Sequence, residues 1–120
     1  MTPCTVLVVD DDADVRESLK DAIEACGDYA VATAENGRDA LDQIERGRSP
    51  DVILLDLKMP VMDGPAFHAE LRRRPKYDAT PIIVVSATAN RTDPVIAASQ
   101  GFCRKPVQLD DLLSLLEENC

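Results

Sequence analysis

Two apolar runs in this 120-residue chain end in acids: Val6-Leu7-Val8-Val9 leads into Asp10, Asp11 and Asp12, and Val52-Ile53-Leu54-Leu55 leads into Asp56. A third run, Ile82-Ile83-Val84-Val85, ends in Ser86, and Lys105 stands just beyond the weak apolar pair Phe102-Cys103. Carboxylates crowded together repel one another, and a hard divalent cation with oxygen ligands relieves that repulsion, so Mg²⁺ is the natural candidate for Asp10, Asp11 and Asp56. A hydroxyl and an ammonium at the same rim are phosphate-handling groups. Held between a metal ion and a lysine, a phosphoryl group delivered to a carboxylate has the charge on its oxygens neutralised. The chemistry these residues fit is an aspartyl-phosphate site.

For residues so far apart to meet, the intervening chain must fold them to one edge. Short β-branched runs recur at Val6–Val9, Tyr29–Thr33, Val52–Leu55, Ile82–Val85 and, weakly, Phe102–Cys103, as expected for strands buried on both faces of a parallel sheet. Helical spacing lies between them. Val15, Leu19, Ala22, Ile23 and Cys26 fall on one side of a 3.6-residue helix, and Ala40, Leu41 and Ile44 do the same for a second. Phe67 and Leu71 mark a third, Val95, Ile96 and Ser99 a short fourth, and Leu109, Leu112, Leu113 and Leu116 a fifth. Asn36-Gly37 opens the second helix, Gly47 and Pro50 close it, Pro75 ends the third and Pro81 introduces the fourth strand. The pattern predicts a single-domain (βα)5 fold, an open doubly wound sheet of order 2-1-3-4-5 with helices on both faces. In such a sheet the site lies beyond the carboxyl ends of the strands, where strand order reverses. Asp10, Asp11 and Asp56 sit at that rim.

Composition removes several alternatives. The chain carries 13 Lys+Arg against 22 Asp+Glu, a net charge of −9, and no basic cluster larger than Arg72-Arg73-Arg74, so direct nucleic-acid binding is disfavoured. Its longest aliphatic stretches fall far short of the ~20 residues that span a bilayer, and no membrane contact is expected. Met1-Thr2-Pro3-Cys4 lacks the basic start and apolar segment of a secretory signal, which makes a cytoplasmic location the expectation. Cys4, Cys26, Cys103 and Cys120 are scattered without C-x-x-C spacing and are expected to be reduced thiols, with Cys26 and Cys103 as small core residues. A chain of this length buries roughly two thirds of its unfolded surface, enough for an apolar core without disulfides or metal.

Val8-Val9-Asp10-Asp11, Leu54-Leu55-Asp56-Leu57-Lys58-Met59-Pro60 with Met62-Asp63-Gly64, Val85-Ser86-Ala87 and Lys105-Pro106 come from four strand ends, in one order. Together they make the sequence resemble the receiver domain of bacterial two-component response regulators over essentially residues 1–120, in the manner of single-domain chemotaxis regulators with a flavodoxin-like fold. The resemblance implies that Asp56 accepts a phosphoryl group from a phosphohistidine on a sensor histidine kinase or histidine phosphotransfer protein. It implies that Asp11, Asp56 and the Lys58 carbonyl bind Mg²⁺ directly, with Asp10 acting mainly through water. Lys105 would pair with the phosphoryl oxygens, Ser86 would turn its hydroxyl inward to them, and Phe102 would rotate inward as the aromatic switch. A cis Lys105-Pro106 bond would aim the lysine at the acids. Lys58 and Thr88 would flank the water that later hydrolyses the acyl phosphate. On this reading the chain is a signalling switch that alters the surface of the fourth helix, fifth strand and fifth helix for a downstream effector protein, and is not a turnover enzyme. The alternative is a constitutive interaction domain whose site no longer switches. The stretch between Ser86 and Lys105 is a few residues shorter than is usual for the family, so the fourth helix is expected to lose nearly a turn, with Pro94 in its first turn.

Other assignments compete for the same residues. Asp12 and Asp14 suit the acid-favouring start of a helix. The spacing of Asp10, Asp12 and Asp14 imitates a calcium loop, yet Val15 stands where that loop needs Gly and Asp21 where it needs Glu. Aspartyl phosphatases require a second acid where Lys58 stands, and a flavin-phosphate loop after the first strand is replaced here by acids that repel phosphate. His68, the only histidine, has no ligand partner beside it in sequence and is expected on the surface or hydrogen-bonded, and Arg72-Arg73-Arg74 as a solvated helix end.

Overall fold

The computed structural model describes residues 3–87 and 93–120. Its elements alternate as the apolar pattern predicts: β1 (Cys4–Val9), α1 (Ala13–Glu24), β2 (Tyr29–Ala34), α2 (Gly37–Glu45), β3 (Val52–Leu55), α3 (Gly64–Arg72), β4 (Ile82–Ser86), α4 (Pro94–Ala98), β5 (Gly101–Arg104) and α5 (Leu109–Asn119). A 3₁₀ turn at Pro75–Tyr77, not foreseen from the sequence, follows α3. The strands form one parallel sheet in the order β2-β1-β3-β4-β5.

Side-chain alternation along each strand divides the core between the two faces of the sheet. Val6, Val8, Val52, Leu54, Ile83 and Val85 pack with Leu19 and Ile23 of α1 and Leu112 and Leu116 of α5. Leu7, Val9, Ile53, Leu55 and Ile82 point the other way, onto Leu41 and Ile44 of α2 and Phe67 and Leu71 of α3. Full burial of each large aliphatic side chain contributes about 2 kcal/mol, so the sheet is anchored from both sides. Helix starts are set by short polar side chains. Asp12 accepts from the Asp14 and Val15 amides at 2.9 and 3.4 Å, Asn36 from Asp39 at 2.9 Å, Asp63 from Ala66 at 2.9 Å and Asp93 from Val95 at 3.0 Å. Gly47, at φ +95°, ends α2 in the left-handed conformation.

Helix α4 is only five residues long with Pro94 at its start, the shortening expected from the sequence, and Ser99 already leaves it in extended conformation. Four expectations are corrected. Cys4 and Cys120 are joined as a disulfide, because the start of β1 and the end of α5 lie side by side with their Cα atoms 5.9 Å apart. Cys26 is exposed beyond the last turn of α1, while Cys103 is buried as expected. His68 is half-buried and its Nε2 is enclosed without a hydrogen-bond partner among the described residues. The arginines are not simply solvated: Arg74 pairs with Glu45 at 2.6 Å and Glu70 at 3.3 Å, and Arg72 donates to the Tyr77 carbonyl at 3.1 Å.

Val61, between β3 and α3, is 84% exposed and sits at φ +68°, a left-handed conformation that penalises a β-branched side chain. Its exposure means no packing is lost on replacement. Val61→Asn is expected to stabilise the fold by about 1 kcal/mol, seen as a rise in Tm.

Candidate functional site

The β1–β3 register pairs Val9 with Leu55, so the next residues, Asp10 and Asp56, emerge side by side from the carboxyl edge. The Asp56 amide donates to the Val9 carbonyl at 2.9 Å and the Asp10 amide to the Ala34 carbonyl at 3.1 Å, which fixes both backbones. Asp10 and Asp56 are buried, at 2% and 7% exposure, and Asp11 is exposed at the mouth. One carboxylate oxygen from each of the three lies within 4.8 Å of the others.

Lys105 reaches this cluster from the far side of the sheet. Its Nζ lies 2.6 Å from Asp10 Oδ2 and 3.4 Å from Asp56 Oδ2, and the Lys105-Pro106 peptide is cis. Ser86 is buried at the end of β4, where its carbonyl accepts from the Lys105 amide at 3.1 Å. Phe102, in β5 opposite Val84, is half-buried against Leu57, Val84, Val95 and Ile96, with the Arg104 guanidinium 5.6 Å from its ring centre. The Lys58 backbone amide works to lower the Asp56 pKa. Thr88 lies outside the described residues. The structure thus brings together Asp10, Asp11, Asp56 and Lys105, with Ser86 at the same rim and Phe102 one strand away.

Three carboxylates and one ammonium leave two negative charges in a small, partly dry space. The donors are all hard oxygens, and a divalent cation would restore neutrality, so the residues fit Mg²⁺. Asp56 registers both its burial and the neighbouring charge. Asp56 is pushed above its ordinary value of 3.8 by burial and then by the charge of Asp10, and the opposing pull of Lys105 and the Lys58 amide does not cancel the rise. For Lys105, burial works to lower the pKa, but the hydrogen bond and charge of Asp10 and the charge of Asp56 outweigh it and hold the ammonium above its usual range.

The folded protein therefore holds the Asp56 proton more tightly than the unfolded chain does. Stability falls as pH rises from about 3.9 through the raised value, because over that window the native state binds more protons. Asp56→Asn has no proton to lose. With EDTA present, its Tm is expected to exceed that of the wild type near neutrality, with the difference closing below about pH 4 as both side chains become neutral.

Sequence reasoning missed two groups that hold the site in place. Arg16, in α1, donates from its guanidinium to the Asp10 carbonyl at 2.7 Å; nothing in its helical position marks it apart from other surface arginines. Gly64 lies so close to the site loop that an added Cβ would stand 2.6 Å from the Asp56 carbonyl oxygen and 2.7 Å from Leu57 Cα. Its signal was present as the Asp63-Gly64 pair, but only the fold shows what the glycine touches. Gly64→Ala is expected to cost about 3 kcal/mol and to displace Asp56 as well, because the atoms in the way are backbone. Thermal unfolding would read the first effect and phosphate uptake the second.

A doubly wound α/β sheet with buried acids and a lysine at its carboxyl rim defines a flavodoxin-like fold whose acidic cluster could hold a metal ion. The sequence profile of the response regulator receiver domain matches residues 6–117, and the chain belongs to that family. It is 39% identical over 115 residues to the response regulator MprA of Mycolicibacterium vanbaalenii, covering 93% of this chain and 48% of that protein. The chain therefore spans about half the length of this curated relative. Among solved structures it superposes on the chemotaxis response regulator CheY4 of Vibrio cholerae with a TM-score of 0.88 at 30% identity, covering 99% of this chain and all of that one. The response regulator TrrA of Thermotoga maritima, solved in complex with Mg(2+)-BeF, gives 0.86 at 30% identity over the full length of both. No helix among the described residues is long and apolar enough to cross a membrane.

Proposed function

We propose that residues 1–120 act as one phosphoacceptor unit in two-component signalling. The unit takes a phosphoryl group from a phosphohistidine of a sensor histidine kinase or histidine phosphotransfer protein, changes its contacts with a downstream effector protein, and then returns to rest by hydrolysis. The observation that carries this reading is the meeting of Asp10, Asp11 and Asp56 within 4.8 Å, with Lys105 Nζ 3.4 Å from Asp56.

Asp56 is the nucleophile. One of its carboxylate oxygens forms the bond to phosphorus as the bond from phosphorus to the imidazole nitrogen breaks, and the electron pair leaves with the imidazole. Asp11, Asp56 and the Lys58 carbonyl would hold Mg²⁺ directly, with Asp10 acting mainly through water; bound there, the ion would supply charge neutralisation on the phosphoryl oxygens. The relative solved with Mg(2+)-BeF supports this choice of ion. Lys105 shifts from its close contact with Asp10 toward the new phosphoryl oxygens, which offer more negative charge than Asp56 did. Ser86 donates its hydroxyl to the same group, and Phe102 moves further against the cluster of Leu57, Val84 and Val95. These contacts exist only in the charged form, so they supply the free-energy difference that a two-state switch requires. Water then cleaves the acyl phosphate, giving back the carboxylate and inorganic phosphate, with Lys58 and Thr88 beside its approach. Residues 1–120 form a cytoplasmic signalling module that uses each phosphoryl group once, and with a net charge of −9 these residues themselves contact no nucleic acid or membrane directly.

Incubation with acetyl phosphate and Mg²⁺ should place an acid-stable, hydroxylamine-labile phosphate on Asp56, and EDTA should prevent it. An unlabelled Asp56 in folded protein would instead support a constitutive interaction domain.

A further inference from the structure

We propose that Cys4 and Cys120 form a reversible redox modification site at the end of the sheet opposite the aspartates, where a disulfide oxidant fastens the end of α5 to the first residue of β1. The two Cα atoms are 5.9 Å apart, inside the range a disulfide spans, and the sulfurs are joined. Cys4 is held in position by its pairing with Tyr29 and by its amide, which donates to the Asp28 carbonyl at 2.9 Å. Its side chain is half-buried against the core beneath α5, whereas Cys120 is exposed and open to a reagent from solution.

The fold does not depend on the link. Leu112 and Leu116 of α5 are fully buried, and β1 is paired on both sides, so opening the bond releases only what lies beyond Leu116. Closing it nevertheless joins residues 116 positions apart in sequence, which removes much of the freedom of the unfolded chain. Cys4 and Asp10 stand at opposite ends of β1, roughly 20 Å apart along an extended strand, so the aspartate site is untouched in either state.

With glutathione disulfide as oxidant, the Cys120 thiolate attacks one glutathione sulfur, forming a mixed disulfide and expelling a glutathione thiolate. The Cys4 thiolate then attacks the Cys120 sulfur and expels the second glutathione. Two protein thiols are oxidised, one disulfide is reduced to two thiols, and the two protein protons pass to the departing thiolates. A dithiol reverses both steps.

The test uses the full chain carrying Cys26→Ser, which removes the other exposed thiol. After glutathione disulfide, alkylation of the unfolded protein and mass analysis should find only Cys103 free, with Cys4 linked to Cys120 and no glutathione retained. Tm should rise by on the order of 10 °C over the reduced form, and excess dithiothreitol should restore three free thiols without unfolding the protein. Amide exchange in the last turn of α5 should slow in the oxidised form. Adding Cys120→Ser should abolish all three responses. A stable glutathione adduct on Cys120 with Cys4 still free, or a Cys120-linked dimer, would overturn the proposal. A Cys4–Cys120 bond that resists dithiothreitol in the folded protein would also overturn it, since the bond would then be permanent.

Discussion

Asp56→Asn is expected to reduce labelling by acetyl phosphate and Mg²⁺ to background while leaving a protein at least as stable as the wild type. Two independent features of the site lead to this result. An amide nitrogen or oxygen cannot serve as the anionic nucleophile, so the loss should be complete rather than partial. The replacement is nearly isosteric, and it removes the charge that burial and Asp10 make unfavourable. Lys105 retains Asp10 as its partner at 2.6 Å, so the ammonium is not stranded. The pairing of lost label with undiminished Tm separates a missing nucleophile from a damaged fold. Residual hydroxylamine-labile phosphate on the variant would place the acceptor elsewhere.

Lys105→Met is expected to produce the largest loss of stability at the site. It leaves Asp10 and Asp56, both buried, facing each other and Asp11 without a cation. Removing one partner of a buried ion pair costs about 3–5 kcal/mol, and the partial exposure of Lys105 argues for the lower end. In EDTA the Tm should fall by about 10 °C. Mg²⁺ should reverse much of that fall, and should raise the Tm of the variant more than that of the wild type, because the ion no longer competes with an ammonium for the same oxygens. Equal Tm values in EDTA would show that the lysine does not balance the cluster. An equal response of both proteins to Mg²⁺ would show that the ion binds away from it.

Much of this arrangement is legible in the sequence because strand identity and strand ends are local properties. Apolar runs as short as Val52–Leu55 can be buried only within a sheet covered on both faces, and the acids that interrupt them mark its rim. The shortened α4 was also readable, from the reduced stretch between Ser86 and Lys105 and from Pro94. Boundaries that depend on side-chain caps, such as Asp12, Asn36 and Asp63, follow from the same local chemistry.

What the sequence concealed depends on residues far apart along the chain. Cysteine spacing gave no sign that Cys4 meets Cys120, because only the packing of α5 beside β1 on one face of the sheet brings the end of that helix to the start of the strand. Nothing local distinguishes Arg16, whose guanidinium anchors the Asp10 carbonyl, or warns that the His68 Nε2 is enclosed without a partner among the described residues. By itself the sequence determined the alternating elements, the rim and the residue types that gather there, since these follow from periodicity and from where polar residues interrupt apolar ones. Only the tertiary structure decided the distances: that Lys105 lies closer to Asp10 than to Asp56, that Gly64 abuts the Asp56 backbone, and that Asp56 is buried beside Asp10, which together raise its carboxyl pKa. Electrostatic and steric energies depend on separations of a few ångströms, and those are fixed by packing across the sheet rather than by order along the chain.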